Sequence, residues 1–533
     1  MSHAPTATDD WFALDAASAT RIPLYDTAGV RAIEHAAQAA LPPFTLMARA
    51  GTAAAGWLAR HMPQGPLLCL AGPGNNGGDA LVAATVLHRA GRQVEAWLAA
   101  DPLKLPADAG RAWQEARAAG VPLREFGTQV GTDAAAQPGA LPDWPAGTAA
   151  ILDGLLGIGL NRPAGGRIAD WIAHVNASGL PVFALDVPSG LFADTGAGKP
   201  AVQAARTLTF LAAKPGLLTL DGRDRAGAID IAPLGLAYPP PGLPAAWING
   251  PAVFAAALPA RRHDSNKGTF GSLAIIGGNA GMVGAPLLGA RAAQFLGAGR
   301  VHIGFLAPSA PAFDPMHPEL MLHALADLDL AAMSTLVIGP GMGAGATSRQ
   351  HFTQLLHALA GLRAALVLDA DALNMLAADA GAAQALRALA SPRVLTPHPL
   401  EAARLLGSSV EAVQRDRLAA ARALAAQWQA TVVLKGSGSV IAGTNGAVPA
   451  LNPSGNAGLA SAGTGDVLAG MIGALLAQGM SATQAACAGT WIHGRAADRL
   501  TAAGEGPAGL TASELYLPAR AILNALLREP VRA

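Results

Sequence analysis

The sequence predicts an α/β protein built from two doubly wound domains, each with a mostly parallel sheet covered by helices. Strand-like apolar runs alternate with Ala- and Leu-rich helical patterns along the chain, which is typical of parallel sheets. Several of these strands run into a glycine-rich turn that opens a helix, the phosphate-binding unit of such sheets. With 533 residues, the chain is too long for one ordinary domain.

Composition narrows the class of protein. The chain carries 36 basic and 36 acidic residues, so it has no excess of positive charge for a nucleic-acid surface. Its apolar runs break before they reach about 18 residues, which predicts no membrane span. Cys69 and Cys487 lie in separate apolar runs, and we expect buried thiols in a reducing compartment. Since the first residues show no signal peptide, we expect a cytoplasmic protein.

The first glycine-rich turn follows two helical patterns within residues 27–61. A buried strand is predicted at 66–71, the turn at 72–79 has the sequence GPGNNGGD, and a helix is predicted at 80–90. Two adjacent asparagines and an aspartate fill the turn with polar side chains, which a plain pyrophosphate turn does not need. We therefore expect a ligand site that uses these side chains.

The same turn leaves a second interpretation open. Gly72, Gly74 and Gly77 satisfy the G-x-G-x-x-G spacing of nicotinamide-dependent oxidoreductases. Asp101 follows the next predicted strand, at 93–98, where such enzymes hold a ribose hydroxyl. The proline at the second position of the motif is unusual. A nicotinamide oxidoreductase remains the alternative.

Two further strands end in polar residues. The strand at 149–153 ends in Asp153, the strand at 180–186 ends in Asp186, and Ser189 follows. Because the carboxyl ends of parallel strands share one edge, these side chains should meet the asparagines of the first turn in one crevice. Oxygen donors without histidine or cysteine suit an alkali or alkaline-earth ion and not zinc. The alternative is that the two aspartates are turn or cap residues.

A proline-rich segment at 237–244 predicts the domain boundary. Four prolines fall within six residues there, and neither a helix nor a central strand continues through them. We therefore expect one domain at 1–240 and another at 241–533. The halves share the order of strand, glycine loop and helix but show no residue-level repeat.

The second half contains the same alternation of strands and loops. Strands are predicted at 272–276, 300–306, 335–338, 365–369, 393–396 and 431–434. Lys435, beside glycines, has the charge to hold a nucleotide phosphate, with a solvated hairpin lysine as the alternative. His398, between two prolines, is rigid enough to contact a ligand, although a lone histidine is more often structural.

The segment AGTGD at 462–466 is the most informative of these loops. Gly463 and Gly465 let backbone N–H groups converge where a helix begins, which makes an anion hole for a phosphate. The carboxylate of Asp466 lies at the same helix start, where it can take a proton from a substrate hydroxyl. The alternative is that Asp466 caps the helix.

Together these motifs resemble a known enzyme family. The first half resembles an NAD(P)H-hydrate epimerase domain through LMARAG at 46–51, GPGNNGGDA at 72–80, LDGLLGIGLNRP at 152–163 and LDVPSG at 185–190. The second half resembles the ribokinase-like, ADP-dependent NAD(P)H-hydrate dehydratase through NKGTFG at 266–271, GGNAGMVGA at 277–285, GPGMG at 339–343, LDADALN at 368–374, TPHPLEAARLLG at 396–407, LKGSGS at 434–439 and GNAGLASAGTGDVLAGMIGALLAQG at 455–479. The order is that of the bacterial fused bifunctional protein, which implies a Rossmann-like first domain and a ribokinase-like second domain.

The resemblance implies site residues in both domains. In the first, potassium would lie on Asn76, Asp153 and Ser189, and Asp186 is our candidate for the proton transfer. The hydrated nucleotide would lie along Asn75, Asn76, Gly77, Gly78, Asp79, Gly157, Ile158, Gly159, Leu160, Asn161, Arg162, Pro163 and Asp186. In the second, the hydrate would contact Ala285, Gly343, His398 and Asp466. The adenine nucleotide would use Lys435, Gly436, Ser437, Gly438, Ser439 and Gly465.

The implied activity is repair of hydrated NADH and NADPH. The first domain would interconvert the R and S hydrates, and the second would dehydrate the S hydrate with ADP and Mg²⁺, releasing AMP and phosphate. We expect a homo-oligomer without nucleic-acid or membrane partners. A vitamin-type kinase fused to an oxidoreductase and a nucleotide-binding regulatory module are the alternatives. The chain departs from the family pattern at Ala48, usually Glu, and at Ala80 and Leu400, usually Gly.

Overall fold

A computed structural model describes residues 11–15, 20–126, 141–444 and 446–528. These residues form two compact units. The first contains the described residues up to Ala246 except residues 20 and 21, and the second contains those two and the residues from Trp247. The functional domains 1–240 and 241–533 remain a prediction, because compactness does not assign an activity to either stretch.

The first unit is built on an eight-stranded sheet with the order β1-β9-β8-β7-β6-β3-β4-β5. Neighbouring strands are parallel except for β1 and β9. The strands of the unit are β1 (Phe12–Ala13), β2 (Pro23–Leu24), β3 (Leu67–Ala71), β4 (Val94–Leu98), β5 (Leu123–Glu125), β6 (Ala150–Gly154), β7 (Val182–Leu185), β8 (Arg206–Phe210) and β9 (Ala228–Ala232). Its helices are α1 (Thr27–Ala40), α2 (Thr45–His61), α3 (Asn75–Arg89), α4 (Ala107–Ala118), α5 (Gly166–Ala177) and α6 (Gly222–Arg225).

The second unit has a sheet in which β11 to β17 are parallel, in the order β13-β12-β11-β14-β15-β16-β17-β18-β19-β10. Only β18 runs antiparallel to its neighbours in this order. The strands are β10 (Ala246–Ile248), β11 (Ser272–Gly277), β12 (Arg300–Phe305), β13 (Met321–Ala324), β14 (Thr335–Ile338), β15 (Ala365–Leu368), β16 (Arg393–Leu395), β17 (Thr431–Leu434), β18 (Ser439–Ala442) and β19 (Ala450–Asn452). The helices are α7 (Pro251–Phe254), α8 (Gly284–Phe295), α9 (Ala346–Ala358), α10 (Asp371–Ala378), α11 (Ala380–Ala388), α12 (Pro399–Leu406), α13 (Val410–Arg415), α14 (Arg417–Trp428), α15 (Thr464–Ala477), α16 (Ala482–Ala502) and α17 (Tyr516–Arg528).

The predicted fold class, an α/β protein with two mostly parallel sheets, is confirmed. Every strand predicted in either half lies within two residues of an observed one, and the strands at 335–338 and 431–434 have the predicted bounds. Nine of the described strands were missed, namely β1, β2, β5, β8, β9, β10, β13, β18 and β19. They include β8 and β9, which lie inside the first sheet. No described helix has the length and apolar character required to cross a membrane. Cys69 and Cys487 are free and buried, as expected.

Helix α3 begins five residues earlier than predicted, at Asn75 instead of 80. The glycines of NNGGD are therefore helical and do not form a turn. A Cβ atom on Gly77 would lie 2.2 Å from the carbonyl oxygen of Gly72, and one on Gly78 would lie 2.5 Å from the Met47 side chain. The glycines let the helix start directly against the end of β3, so its positive end faces the crevice.

Two candidate active sites at the carboxyl ends of the sheets

A buried ion pair organises the crevice of the first unit. Asp186 follows β7 directly and adopts a left-handed φ of 63°, an uncommon conformation outside glycine. Its Oδ1 accepts a hydrogen bond from Lys214 Nζ at 2.5 Å, and its Oδ2 accepts one from Ile158 N at 3.1 Å. Lys214 is fully buried and also donates to Thr209 Oγ1 and the carbonyl of Phe210. All three ammonium protons are thus engaged, and the carboxylate is fixed at the end of the sheet.

The oxygen-donor set predicted from strand ends does come together. Ser189 Oγ donates to Asp153 Oδ1 at 2.6 Å, and Ser189 N donates to Asp153 Oδ2 at 2.8 Å. Asn76 lies beside them, because its Nδ2 donates to the carbonyls of Leu156 and Leu185. Leu156 lies in the loop after β6 and Leu185 is the last residue of β7, so three strand ends meet at this point.

The chemistry of this donor set fits a weakly bound alkali cation. Asn76 Oδ1 is buried and has no hydrogen-bond partner within the described chain, which is unusual for an amide oxygen. Asp153 is fully buried and receives its hydrogen bonds from neutral donors. Burial raises the pKa of Asp153 to about 6, although the hydrogen bonds from Ser189 oppose this. A cation beside these oxygens would stabilise the charged form.

A second carboxyl group lies near the ion pair. Asp79, in the first turns of α3, has a pKa well above its ordinary value because of burial and the nearby charges of Asp186 and Glu34. Burial and Asp186 also raise the pKa of Glu34. The crevice therefore combines a carboxylate that is paired with lysine and carboxyl groups that hold their protons more tightly.

The remaining residues implied for the first site divide into two groups. The loop after β6 does reach the site, since a Cβ atom on Gly157 would lie 3.1 Å from Asp186 Oδ2 and 3.3 Å from Asn76 Cβ. Its later part, at 161–163, is exposed, and so is Asn75. Gly77 and Gly78 are buried in packing contacts. Ligand contacts from these residues remain a prediction.

The glycine-rich segment of the second unit opens α15 as expected. Gly463 is the N-cap residue, with a left-handed φ of 85°, and no side chain caps the helix. Interpreting Asp466 as the cap was therefore wrong. Its carboxyl group is half-buried, and burial together with the charge of Asp369 raises its pKa to about 7, against the opposing effect of Lys435. Asp466 is thus poised to exchange a proton near neutral pH.

Lys435 forms an ion pair at the same edge of the sheet. Its Nζ lies 2.7 Å from Oδ1 of Asp369, the residue that follows β15, and Thr396 Oγ1 donates to the same oxygen. Although burial alone would lower it, the pKa of Lys435 is raised by Asp369 and Glu401. A Cβ atom on Gly465 would lie 3.5 Å from Lys435 Nζ. The lysine therefore faces the start of α15 and is not a solvated hairpin residue.

Hydrogen bonds from Arg417 stabilise the loop that contains Lys435. The guanidinium is buried and donates from Nη2 to the carbonyls of Leu434, Lys435 and Gly438. These bonds fix the turn between β17 and β18, in which Gly436 and Gly438 have positive φ values. Residues 435–439, which the resemblance assigns to the adenine nucleotide, thus form one ordered loop beside Gly465.

The residues that the resemblance implies for hydrate binding have different roles in the structure. His398 caps α12, since its Nδ1 accepts from the N–H groups of Leu400 and Glu401. Gly343 N donates to Asp371 Oδ2 at 2.7 Å. Ala285 lies in the first turn of α8, and its Cβ would be 3.2 Å from a Cβ on Gly341. The start of α8, which carries Ala285, is thus adjacent to the loop that carries Gly343, whereas His398 has an observed structural role.

Comparison with known proteins covers both units. The sequence model described as "YjeF-related protein N-terminus" matches residues 43–216, and the one described as "NAD(P)H-hydrate dehydratase" matches residues 273–516. A bifunctional NAD(P)H-hydrate repair enzyme of Leishmania infantum is 38% identical over 519 residues, which cover 90% of this chain and 89% of the relative. The chain belongs to the family of bifunctional NAD(P)H-hydrate repair enzymes. The predicted family and its two-part composition are confirmed.

Other members of the repair-enzyme family match at similar levels. The bifunctional enzyme of Escherichia coli K12 is 37% identical over 496 residues, with 90% of each chain covered. An ADP-dependent (S)-NAD(P)H-hydrate dehydratase of Neisseria meningitidis is 45% identical over 276 residues, which cover 50% of this chain and 90% of that protein. The oxidoreductase alternative was wrong. Asp101, its proposed ribose ligand, accepts a hydrogen bond from Leu103 N and pairs with Lys104.

Sequence reasoning missed four residues that organise the two candidate sites: Lys214, Asp369, Glu401 and Arg417. Lys214 follows β8, a strand that was not predicted, and the lysine is separated by 28 residues from its partner. The sequence did offer one indication of Asp369, because it lies at a strand end within the quoted motif LDADALN. Glu401 likewise lies within the quoted motif TPHPLEAARLLG, whereas Arg417 lies on a helix outside any motif.

The Asp186–Lys214 pair yields a stability prediction. Replacing Lys214 with Met leaves a buried carboxylate without its cation, which should cost about 3–5 kcal/mol of unfolding free energy. Chemical denaturation followed by tryptophan fluorescence measures this. Lys199→Met is the matched control, because Lys199 is 78% exposed and lies 3.9 Å from Asp221, so it should change stability by less than about 1 kcal/mol. Equal stability of the two variants would refute the importance of the pair.

Proposed function

We propose that this chain repairs hydrated NADH and NADPH at two sites, epimerising the hydrates in the first unit and dehydrating the S hydrate with ADP in the second. The names of its relatives support the substrates and the use of ADP. The observation that carries the proposal is the position of Asp466 in the first turn of α15, beside Lys435. A base and an anion site are thereby placed at one helix start.

The dehydration follows from this placement. Asp466 removes the proton from the hydroxyl group at C6 of the hydrate, and the oxygen attacks the terminal phosphorus of ADP, which releases AMP. The backbone N–H groups at the start of α15 and the Lys435 ammonium stabilise the negative charge on the transferred phosphate. Phosphate then leaves as the ring nitrogen donates its lone pair, and loss of a proton from C5 restores the dihydronicotinamide.

The residues around Asp466 suit magnesium carried by the nucleotide. When bound, Mg²⁺ would neutralise the phosphate oxygens during transfer. The carboxylate of Asp371, whose charge also raises the pKa of Asp466, is a hard oxygen donor of the kind that Mg²⁺ prefers. Within the described residues, however, no three His, Cys, Asp or Glu side chains are arranged to hold a metal ion. The nucleotide phosphates would therefore supply most of the ligands.

The first unit has the groups needed for inversion at C6. This carbon carries both a hydroxyl group and the ring nitrogen, so removal of the hydroxyl proton and protonation of the nitrogen would break the C6–N bond and form an aldehyde. Closure of the ring on the other face, with the protons returned, would give the other epimer. Asp186, fixed by Lys214, is the proposed proton acceptor, and Asp79 lies nearby with a raised pKa as a proton donor. Potassium would be held by Asn76, Asp153 and Ser189, and its charge would help retain the nucleotide phosphate. A homo-oligomeric, cytoplasmic enzyme is part of the proposal.

Replacing Asp466 with Asn removes the proposed base but keeps the shape of the side chain. The rate of ADP-dependent dehydration of the S hydrate should fall by about 10²–10⁴-fold, as followed by the absorbance of NADH. Asp498→Asn on α16 is the matched control, because the role of Asp498 is structural. Its carboxylate accepts hydrogen bonds from Gly455 N and Asn456 Nδ2. Near-normal turnover by Asp466→Asn would rule out this role.

The pH dependence should follow from the raised pKa of Asp466. Since the base must be ionised and its pKa is about 7, kcat/KM for dehydration should fall about tenfold per unit as the pH drops below 7. Burial also raises the pKa of Glu401 to about 7, so the variant Glu401→Gln separates the two groups. It should keep the acidic limb of the profile. Loss of that limb in Glu401→Gln would assign it to Glu401 instead.

Asp186→Ala separates the two activities. The variant should lose interconversion of the R and S hydrates, because the proposed proton acceptor is gone, while dehydration of the pure S hydrate should be unchanged. Chromatographic analysis of the epimers measures the first activity, and NADH absorbance measures the second. Loss of both activities would indicate a folding defect, and persistence of both would exclude Asp186 as the proton acceptor.

A further inference from the structure

The first unit contains a cavity that the proposed repair chemistry does not use. It has a volume of about 620 Å³ and lies where α2 begins, and its lining includes Phe44, Ala48, Arg49, Arg111 and Leu234. We refer to it as the α2 cavity. None of the residues implied for epimerisation lines it. Its volume is within the range of small-molecule sites.

The charge of the α2 cavity is positive. Its lining includes two guanidinium groups and no carboxylate. Arg49 is half-buried, and its Nη1 donates to the carbonyl of Leu234 at 2.9 Å. A Cβ atom on Gly235 would lie 3.0 Å from the same nitrogen, so the guanidinium rests flat on this glycine. No ion pair joins Arg49 to a carboxylate in the described ranges.

Arg111 is oriented by an aromatic ring. Its Cζ lies 4.2 Å from the centroid of the Phe44 ring, and its Nε donates to Glu115 Oε1 at 2.8 Å. Both members of that pair are well exposed, so the pair contributes little and does not neutralise the cavity. The ring fixes the plane of the guanidinium, which leaves its outer N–H groups to face a ligand.

The dipole of helix α2 adds to this positive potential. The helix begins at Thr45, its first turn contains no acidic residue, and the cavity runs along its flank from Thr45 to Ala53. The N–H groups of Thr45 and Ala48 bond to the carbonyls of Pro42 and Phe44, so the helix contributes through the positive end of its dipole and not through free donors. Phe44, Ala48 and Leu234 form an apolar wall beside the two guanidinium groups.

We propose that the α2 cavity binds a small phosphate ester, with the phosphate held by Arg49 and Arg111 near the positive end of α2 and the organic group against the apolar wall. A dianionic phosphate suits two guanidinium groups, because each can donate two parallel hydrogen bonds. The volume exceeds that of inorganic phosphate, which leaves room for the organic group. This binding is separate from the repair activities and does not rest on them.

Arginine protection tests the proposal on the full-length protein. Phenylglyoxal modifies accessible guanidinium groups, and peptide mass spectrometry gives the rate at each arginine. Phenyl phosphate should slow modification of Arg49 and Arg111 several-fold and leave the exposed Arg89 on α3 unchanged. Benzyl alcohol, which lacks the charge, should protect none of them. Equal rates at Arg49 with and without phenyl phosphate, or equal slowing at Arg89, would overturn the proposal.

Two variants test whether the protection by phenyl phosphate arises from binding in the α2 cavity. Ala48→Glu places a carboxylate between the arginines and should abolish the protection by phenyl phosphate, whereas Ala36→Glu on the exposed face of α1 should keep it. Arg49→Gln should abolish the remaining protection of Arg111, which tests the same point without adding a charge. Full protection in both cavity variants would contradict the proposal.

Discussion

Each unit depends on one lysine–aspartate ion pair at the carboxyl end of its sheet. In the first unit the pair is Lys214 and Asp186, and in the second it is Lys435 and Asp369. Both aspartates follow a parallel strand directly, and both lysines follow a strand of the same sheet. Because the lysines are 0% and 19% exposed, neither charge would be tolerated there alone. The pairs therefore fix the geometry of both crevices.

Each crevice also contains a second carboxyl group, which is not the ion-pair partner of the lysine. Asp79 in the first unit and Asp466 in the second have raised pKa values, with burial as the first cause and a neighbouring aspartate as the second. The proposed roles differ: in the first unit the paired carboxylate of Asp186 is the proton acceptor, whereas in the second the acceptor is Asp466, the group with the raised pKa. The arrangement of an ion pair beside a further carboxyl group nevertheless occurs twice in one chain, in two sheets of different strand order.

Much of this arrangement follows from sequence. Strand ends could be located because apolar runs stop at polar residues, and the carboxyl-edge rule then gathered Asn76, Asp153 and Ser189 correctly. The two ion pairs could not be found in this way, since the paired residues lie 28 and 66 positions apart, and only Lys435 was recognised as a candidate from its glycine-rich loop. Glycines were also misleading. Those of NNGGD suggested a turn, whereas close packing against Gly72 and Met47 explains them.

The account is tested most directly by the fate of ADP during repair. Ion-exchange chromatography and a phosphate assay should show one AMP and one phosphate formed for each NADH recovered from the S hydrate, with no phosphorylated hydrate left at the end. Accumulation of a stable phosphorylated alcohol would instead indicate a kinase, and recovery of NADH without consumption of ADP would contradict a phosphate site at the start of α15.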